Sequence, residues 1–128
     1  MALTAEVAEA IDEIRSSFPD SKLDFHEDGE GGAFVFVDPV DPGPPYQQRE
    51  TWIGFRVTFQ YPYADVYPHF VRADLARADG APLGEGTAAS TFDGRPAVQL
   101  SRRSNRLNPE TDTAAIKLHK VLTWLRSR

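Results

Sequence analysis

The stretch Thr51 to Leu75, TWIGFRVTFQYPYADVYPHFVRADL, constrains this chain more than any other part of it. Trp52 to Phe59 alternates, so Ile53, Phe55, Val57 and Phe59 share one face of a strand, because successive strand side chains point to opposite sides. A second run, His69 to Leu75, sets Val71, Ala73 and Leu75 together in the same way. Between the runs, Tyr61-Pro62 and Tyr67-Pro68 bracket a short connection, and each proline fixes φ at about −65°. The result is a rigid crossover that aims the second strand, with tyrosine rings packed on prolines and their hydroxyls in water.

The rest of the chain supplies a frame for that pair. Leu3, Val7, Ala10, Ile11 and Ile14 recur at helical spacing, and Thr4 suits the N-cap, so a helix is predicted over 4–17. Phe18-Pro19 stops it. Lys22 to Glu27 alternates as a strand with Leu23 and Phe25 on one side, and Asp28 to Gly32 is a glycine-rich turn. Ala33 to Val37 is a continuous apolar run that suits a strand covered on both faces. DPVDPGPPYQQRE, residues 38–50, holds four prolines and reads as a stiff loop. Its proline spacing, from Pro39 to Pro45, could also fit an aromatic groove.

Residues 78–96 are rich in glycine, alanine and proline and are expected to form an extended loop. Asn108-Pro109 opens a second helix over about 109–126, since asparagine caps and proline suits the first helical position. Ala115, Leu118, Val121, Leu122 and Leu125 form its apolar stripe, with Lys117, Lys120, Arg126 and Arg128 toward the end that favours cations. Trp52 and Trp124 read as packing residues. The sum is one α+β domain over 1–128, with an N-terminal helix, a four-stranded antiparallel meander, a long loop and a C-terminal helix.

At 128 residues such a domain buries roughly two-thirds of its unfolded surface. No apolar run approaches the roughly 18 residues of a membrane span. MALTAEVAEAIDEIR carries acids where a signal peptide carries a basic region, so the cytoplasm is the expected compartment. Cysteine is absent, which removes disulfides, thiolate metal sites and a thiol nucleophile from this sequence. His26, His69 and His119 lack metal-site spacing, and Asp24, His26 and Asp28 read as a solvated strand edge. Gly84-Glu85-Gly86 has neither a third glycine nor a phosphate-binding lysine. No cofactor, metal or catalytic motif is predicted.

Net charge −5 conceals an asymmetry: residues 1–94 hold six Lys/Arg against 17 Asp/Glu, while 95–128 hold eight against two. Mutual attraction between the halves of one fold is one reading. The other is a basic patch around Arg95, Arg102, Arg103 and Arg106 that meets an acidic partner. Nucleic acid is a poor candidate, because the chain is acidic and no aromatics interleave these arginines.

Four short motifs give the chain a family resemblance. Phe55-Arg56-Val57-Thr58-Phe59 with Tyr61-Pro62, then Pro68-His69-Phe70-Val71, then Gly94 with Val98-Gln99-Leu100, and finally Leu107-Asn108-Pro109 follow one another in order. Together they resemble the ubiquitin-conjugating (E2-like) superfamily, which includes RWD domains and members without a catalytic cysteine. The resemblance spans most of the chain and implies the UBC-like fold. It places Gln99 where that family carries its active cysteine. Tyr63 to Tyr67 lengthen the Tyr-Pro turn, and GAPLGEGTAASTFDG stands where a His-Pro-Asn tripeptide would precede Gly94. That divergence, and the preference for arginine over lysine, fit a bacterial member.

An E2 works through a thiolate that accepts an acyl group. The resemblance, with no cysteine, therefore implies a non-catalytic adaptor in a bacterial ubiquitin-like conjugation or defence pathway. Its implied partner is a protein, either a ubiquitin-like protein or an E1-like enzyme, with no role for nucleic acid or membrane. The partner would be met through Arg95, Gln99, Arg102, Arg103 and Arg106. Two alternatives remain. One is a small hydrolase using the 78–106 loop as a lid, with Ser101 or Ser104 near a histidine. The other is an interaction domain unrelated to ubiquitin-like proteins.

Overall fold

The computed structural model describes residues 2–128. Helix α1 (Ala5–Ser17) is followed by β1 (Lys22–Glu27), β2 (Ala33–Val40), β3 (Thr51–Val57), β4 (His69–Arg72), β5 (Thr87–Phe92), β6 (Arg95–Leu100) and α2 (Ala114–Arg126). The strands form one sheet in the order β1-β2-β3-β4-β6-β5, and every pairing is antiparallel. The α+β class and both helices agree with the sequence, and β1 to β4 form the anticipated meander. The strand count does not: six strands are present, because the segment expected as a loop supplies β5 and, with its continuation, β6.

That misreading has a physical origin. β5, TAASTF, carries small side chains until Phe92 and is an outer strand, so burial imposes little alternation on it. The turn that joins it to β6 is legible, however. Asp93 and Gly94 both have positive φ, 50° and 81°, as a two-residue hairpin turn requires.

Helix α1 starts as anticipated, with the Thr4 hydroxyl accepting from the Val7 N–H at 3.1 Å. Helix α2 starts five residues later than predicted. Asn108 caps only an isolated turn, its side chain accepting from the Glu110 N–H, and the Thr113 hydroxyl then caps α2 by accepting from Ile116. Thr111, Asp112 and Thr113 offer the backbone side-chain partners that compete with helix, which explains the delay. Strand β4 ends at Arg72 rather than Leu75, and Phe59 lies beyond the end of β3 and is exposed.

Val7, Ile11 and Ile14 of α1 and Leu118, Leu122 and Leu125 of α2 share one core with Val35, Val37, Ile53, Phe55, Val71, Val98 and Leu100. The opposite pleat of the sheet carries Phe34, Phe36, Trp52, Phe70 and Phe92 in a separate aromatic cluster. Strand β2 is thus covered on both sides, as its continuous apolar run requires. Phe92 stacks on Phe70 with ring centroids 4.6 Å apart and reaches across β3. Gly54 makes that possible, since a Cβ there would stand 2.7 Å from the Phe92 ring.

The tip of the β5–β6 hairpin continues to the far edge of the sheet, where Asp93 Oδ2 lies 2.6 Å from His26 Nε2. The hydrogen bond to Asp93 holds the His26 pKa above its ordinary value, against a smaller opposing effect of burial. This contact therefore contributes fully below the ordinary histidine range and fades as pH rises through the raised value. The proline-rich loop closes against α2: the Tyr46 hydroxyl donates to the Leu125 carbonyl at 3.0 Å, and Arg126 Nε donates to the Asp41 carbonyl at 2.9 Å.

Leu118 is fully buried between α2 and the sheet. Leu118→Ala is expected to cost roughly 2–5 kcal/mol, read as a shift in the urea midpoint without a change in slope. A cost below about 1 kcal/mol would show that α2 is not seated as described.

Candidate functional site

Helix α2 carries a lysine on its buried face. Lys117 occupies the first turn, four residues before Val121 in the apolar stripe, and its side chain is only 8% exposed. It therefore lies at the opposite end of α2 from the one the sequence suggested. A buried ammonium is costly unless it is paired and hydrogen-bonded. Here Lys117 Nζ donates to Asp65 Oδ2 at 3.1 Å and to Ser104 Oγ at 2.8 Å. Asp65 in turn accepts from the Ser104 N–H at 2.7 Å and from the Ser104 hydroxyl at 2.8 Å.

Three segments meet in this knot: the Tyr-Pro crossover, the segment after β6, and α2. Burial alone would raise the Asp65 carboxyl. The hydrogen bonds from Ser104 and Lys117, with the Lys117 charge, outweigh it and hold the pKa below the ordinary carboxylate value. The crossover adds a second tie, because the Tyr61 hydroxyl accepts from the Ala114 N–H, one of the free donors at the start of α2. Its two X-Pro bonds, Tyr61-Pro62 and Tyr67-Pro68, are both cis.

His69, on β4, points into the same core and is fully buried beside the Phe55 ring. Neither of its ring nitrogens has a hydrogen-bond partner among the described residues. Burial, reinforced by the Lys117 charge, lowers its pKa to about 3, so it is neutral in the fold. It bonds to neither Ser101 nor Ser104. Ser101 instead receives the Gln99 amide at 3.2 Å, and His119 stacks on Phe18. Ser104 donates to a carboxylate and accepts from an ammonium, an arrangement that fixes its hydroxyl in place.

Outside the knot, α2 and the segment after β6 border a solvent-open groove of about 240 Å³, lined by Arg102, Arg103, Ser104, Asn105, Lys117 and Lys120, with Asp112 and Val121. The Arg103 guanidinium lies 4.2 Å above the Tyr67 ring and that of Arg102 lies 5.2 Å above Trp124. Lys120 is loosely paired with Asp112, at 3.8 Å.

The five residues singled out from the sequence do not form one patch. Arg95 lies on the aromatic side of the sheet, over Phe36 at 4.3 Å and Trp52 at 4.9 Å. Gln99 is inside a strand, opposite Phe70 on one side and Ala88 on the other. Arg106 is exposed with φ of 58°. Only Arg102 and Arg103 reach the groove. Asp65, His69, Lys117 and Lys120 were missed as a site, although a lysine in the apolar stripe of α2 was a readable sign that a buried acid must exist. No cluster of three metal-ligating side chains occurs among the described residues, and no described helix is long and apolar enough to cross a membrane.

Three substitutions test this description. His69 stays neutral in the fold down to about pH 3, whereas the unfolded chain takes up its proton near 6.5. Stability must therefore fall as pH drops through that window, by up to about 1.4 kcal/mol per pH unit. His69→Phe should flatten the slope between pH 6.5 and 5 in urea titrations, and an unchanged slope would refute the assignment. Lys117→Met, which strands Asp65, should cost about 3 kcal/mol, and adding Asp65→Asn should recover part of that loss.

No protein-family model, no curated protein and no solved structure matches this chain.

Proposed function

We propose that this protein is a non-catalytic, protein-binding domain of the E2-like kind, whose partner is a ubiquitin-like protein or an E1-like enzyme. The observation that carries the non-catalytic part is the state of Ser104. The chain has no thiol, and the serine next to the groove is engaged at once by a carboxylate and an ammonium. A Lys117 ammonium committed to Asp65 has no lone pair with which to take the Ser104 proton.

Support for the E2-like part comes from the motifs and from the order of an N-terminal helix, the β1–β4 meander and, after the β5–β6 hairpin, a closing helix. Gln99 fits a dead site in this reading, since it sits in a strand flanked on both sides rather than in an open loop. The same observation favours a second reading. Strands β5 and β6 extend the sheet beyond four strands, as an interaction domain unrelated to ubiquitin-like proteins could equally do.

One experiment separates these. The protein is incubated with an E1-like enzyme charged with a ubiquitin-like protein from the same source, then analysed by intact mass and by pull-down. Unchanged mass with retention of either component supports the adaptor. Unchanged mass with retention of neither supports the unrelated interaction domain. An adduct at Ser101, Ser104 or a lysine, dependent on the activating enzyme, would overturn the non-catalytic reading.

A further inference from the structure

We propose that the groove along α2 binds an extended acidic peptide segment, gripped at its two ends by Arg102 and Arg103. The inference rests on the protein-binding reading above and names the chemistry of the partner.

The arginines of this chain differ in whether a carboxylate neutralises them. Arg15, Arg56, Arg72 and Arg77 each hold a carboxylate of the same chain. Arg102 and Arg103 form no ion pair among the described residues, and each guanidinium lies over an aromatic ring instead. A guanidinium that rests against a ring keeps its N–H donors free for a carboxylate, which arginine can bind with two parallel hydrogen bonds. Ordering a long side chain beforehand removes part of the entropy cost of binding.

The dimensions select the ligand. Lys117, Lys120, Val121 and Trp124 follow one another along one side of α2, a span of about 10 Å at about 1.5 Å per residue. Arg103, on Tyr67, stands toward the Lys117 and Asp65 end, and Arg102, on Trp124, stands at the other. An extended chain rises about 3.3 Å per residue, so a segment of about three residues covers that span of α2.

Lys120 lines the same groove, 68% exposed, with Asp112 as its one carboxylate partner among the described residues. Lys117 contributes less, since Asp65 neutralises it. The groove is thus a short cationic strip with Asp112 at its wall. Around it the surface turns acidic: Glu6, Glu9, Asp12 and Glu13 lie on α1, and the whole chain carries −5. A long polyanion such as nucleic acid would leave the strip and meet that repulsion, whereas a segment of a few residues would not.

The test uses fluorescein-labelled hexaglutamate in an anisotropy titration at low salt. The acidic chain as a whole repels this peptide, so binding would report the local strip. Arg102→Glu with Arg103→Glu should weaken it by about tenfold or more and flatten its salt dependence. Lys120→Glu should weaken it less. Arg49→Glu with Arg95→Glu removes the same charge away from the groove and should leave the affinity close to that of the natural chain. Circular dichroism checks that each variant is folded, and Arg102→Gln with Arg103→Gln replaces the double reversal if that one is not.

Equal weakening by the Arg49 and Arg95 pair would reduce the effect to overall charge and overturn the proposal. So would displacement of the peptide by inorganic phosphate or by an oligothymidylate at the same charge concentration, or no binding at all. None of these outcomes bears on whether the chain forms a covalent adduct. An adduct in the mass experiment would conversely sink the adaptor reading even if the peptide binds.

Discussion

The buried ammonium of Lys117 organises the functional end of this domain. Once α2 lays its apolar stripe against the sheet, Lys117 is carried into a region of low polarity and must find a carboxylate. Asp65 supplies it from the Tyr-Pro crossover, and Ser104 from the segment after β6 completes the coordination. The crossover, which could have been a passive link between β3 and β4, thereby becomes a strut for α2. The 101–113 segment has no helix or strand, and Ser104 ties it to the same knot. The groove that borders the knot inherits its shape from them.

The two faces of the sheet use different physics. On the helix side, aliphatic side chains fill the core, with His69 as a neutral, unpartnered exception that costs stability at low pH. On the other side no helix is present, and the sheet covers itself. The β5–β6 hairpin bends over the aromatic cluster, Phe92 lies flat above Gly54, and Asp93 reaches His26 on the opposite edge. Arg95 closes the cluster from above, over Phe36 and Trp52. That arrangement withdraws Arg95 from any shared surface with Arg102 and Arg103.

The charge asymmetry of the sequence acquires a meaning from this geometry. Attraction between an acidic first part and a basic last part accounts for Lys117 with Asp65. The arginines of the last part use rings and carbonyls instead: Arg95 and Arg102 lie over tryptophans, Arg103 over a tyrosine, and Arg126 bonds a backbone carbonyl. Their charge is left available. Positive charge gathers where Arg102 and Arg103 line one groove with Lys117 and Lys120, and that clustering rather than the total charge motivates the groove as a recognition site.

The sequence by itself determined both helices, the Thr4 cap, the β1–β4 meander and the covering of β2 on both faces, since each rests on periodicity or on a local cap. The absence of a thiol nucleophile was equally plain. Tertiary structure decided the rest. Strand β5 is built of small residues on an outer edge, where no burial pattern is imposed, so only its neighbour β6 and the Asp93-Gly94 turn define it. The meeting of Asp65, Ser104 and Lys117 joins residues up to 52 positions apart, and no local spacing records such a contact. Arg95 and Arg102 are close in sequence yet end on different surfaces, because the length of β6 lies between them. Pairing in a sheet and burial of a charge are properties of the folded chain, which is why the site became readable only there.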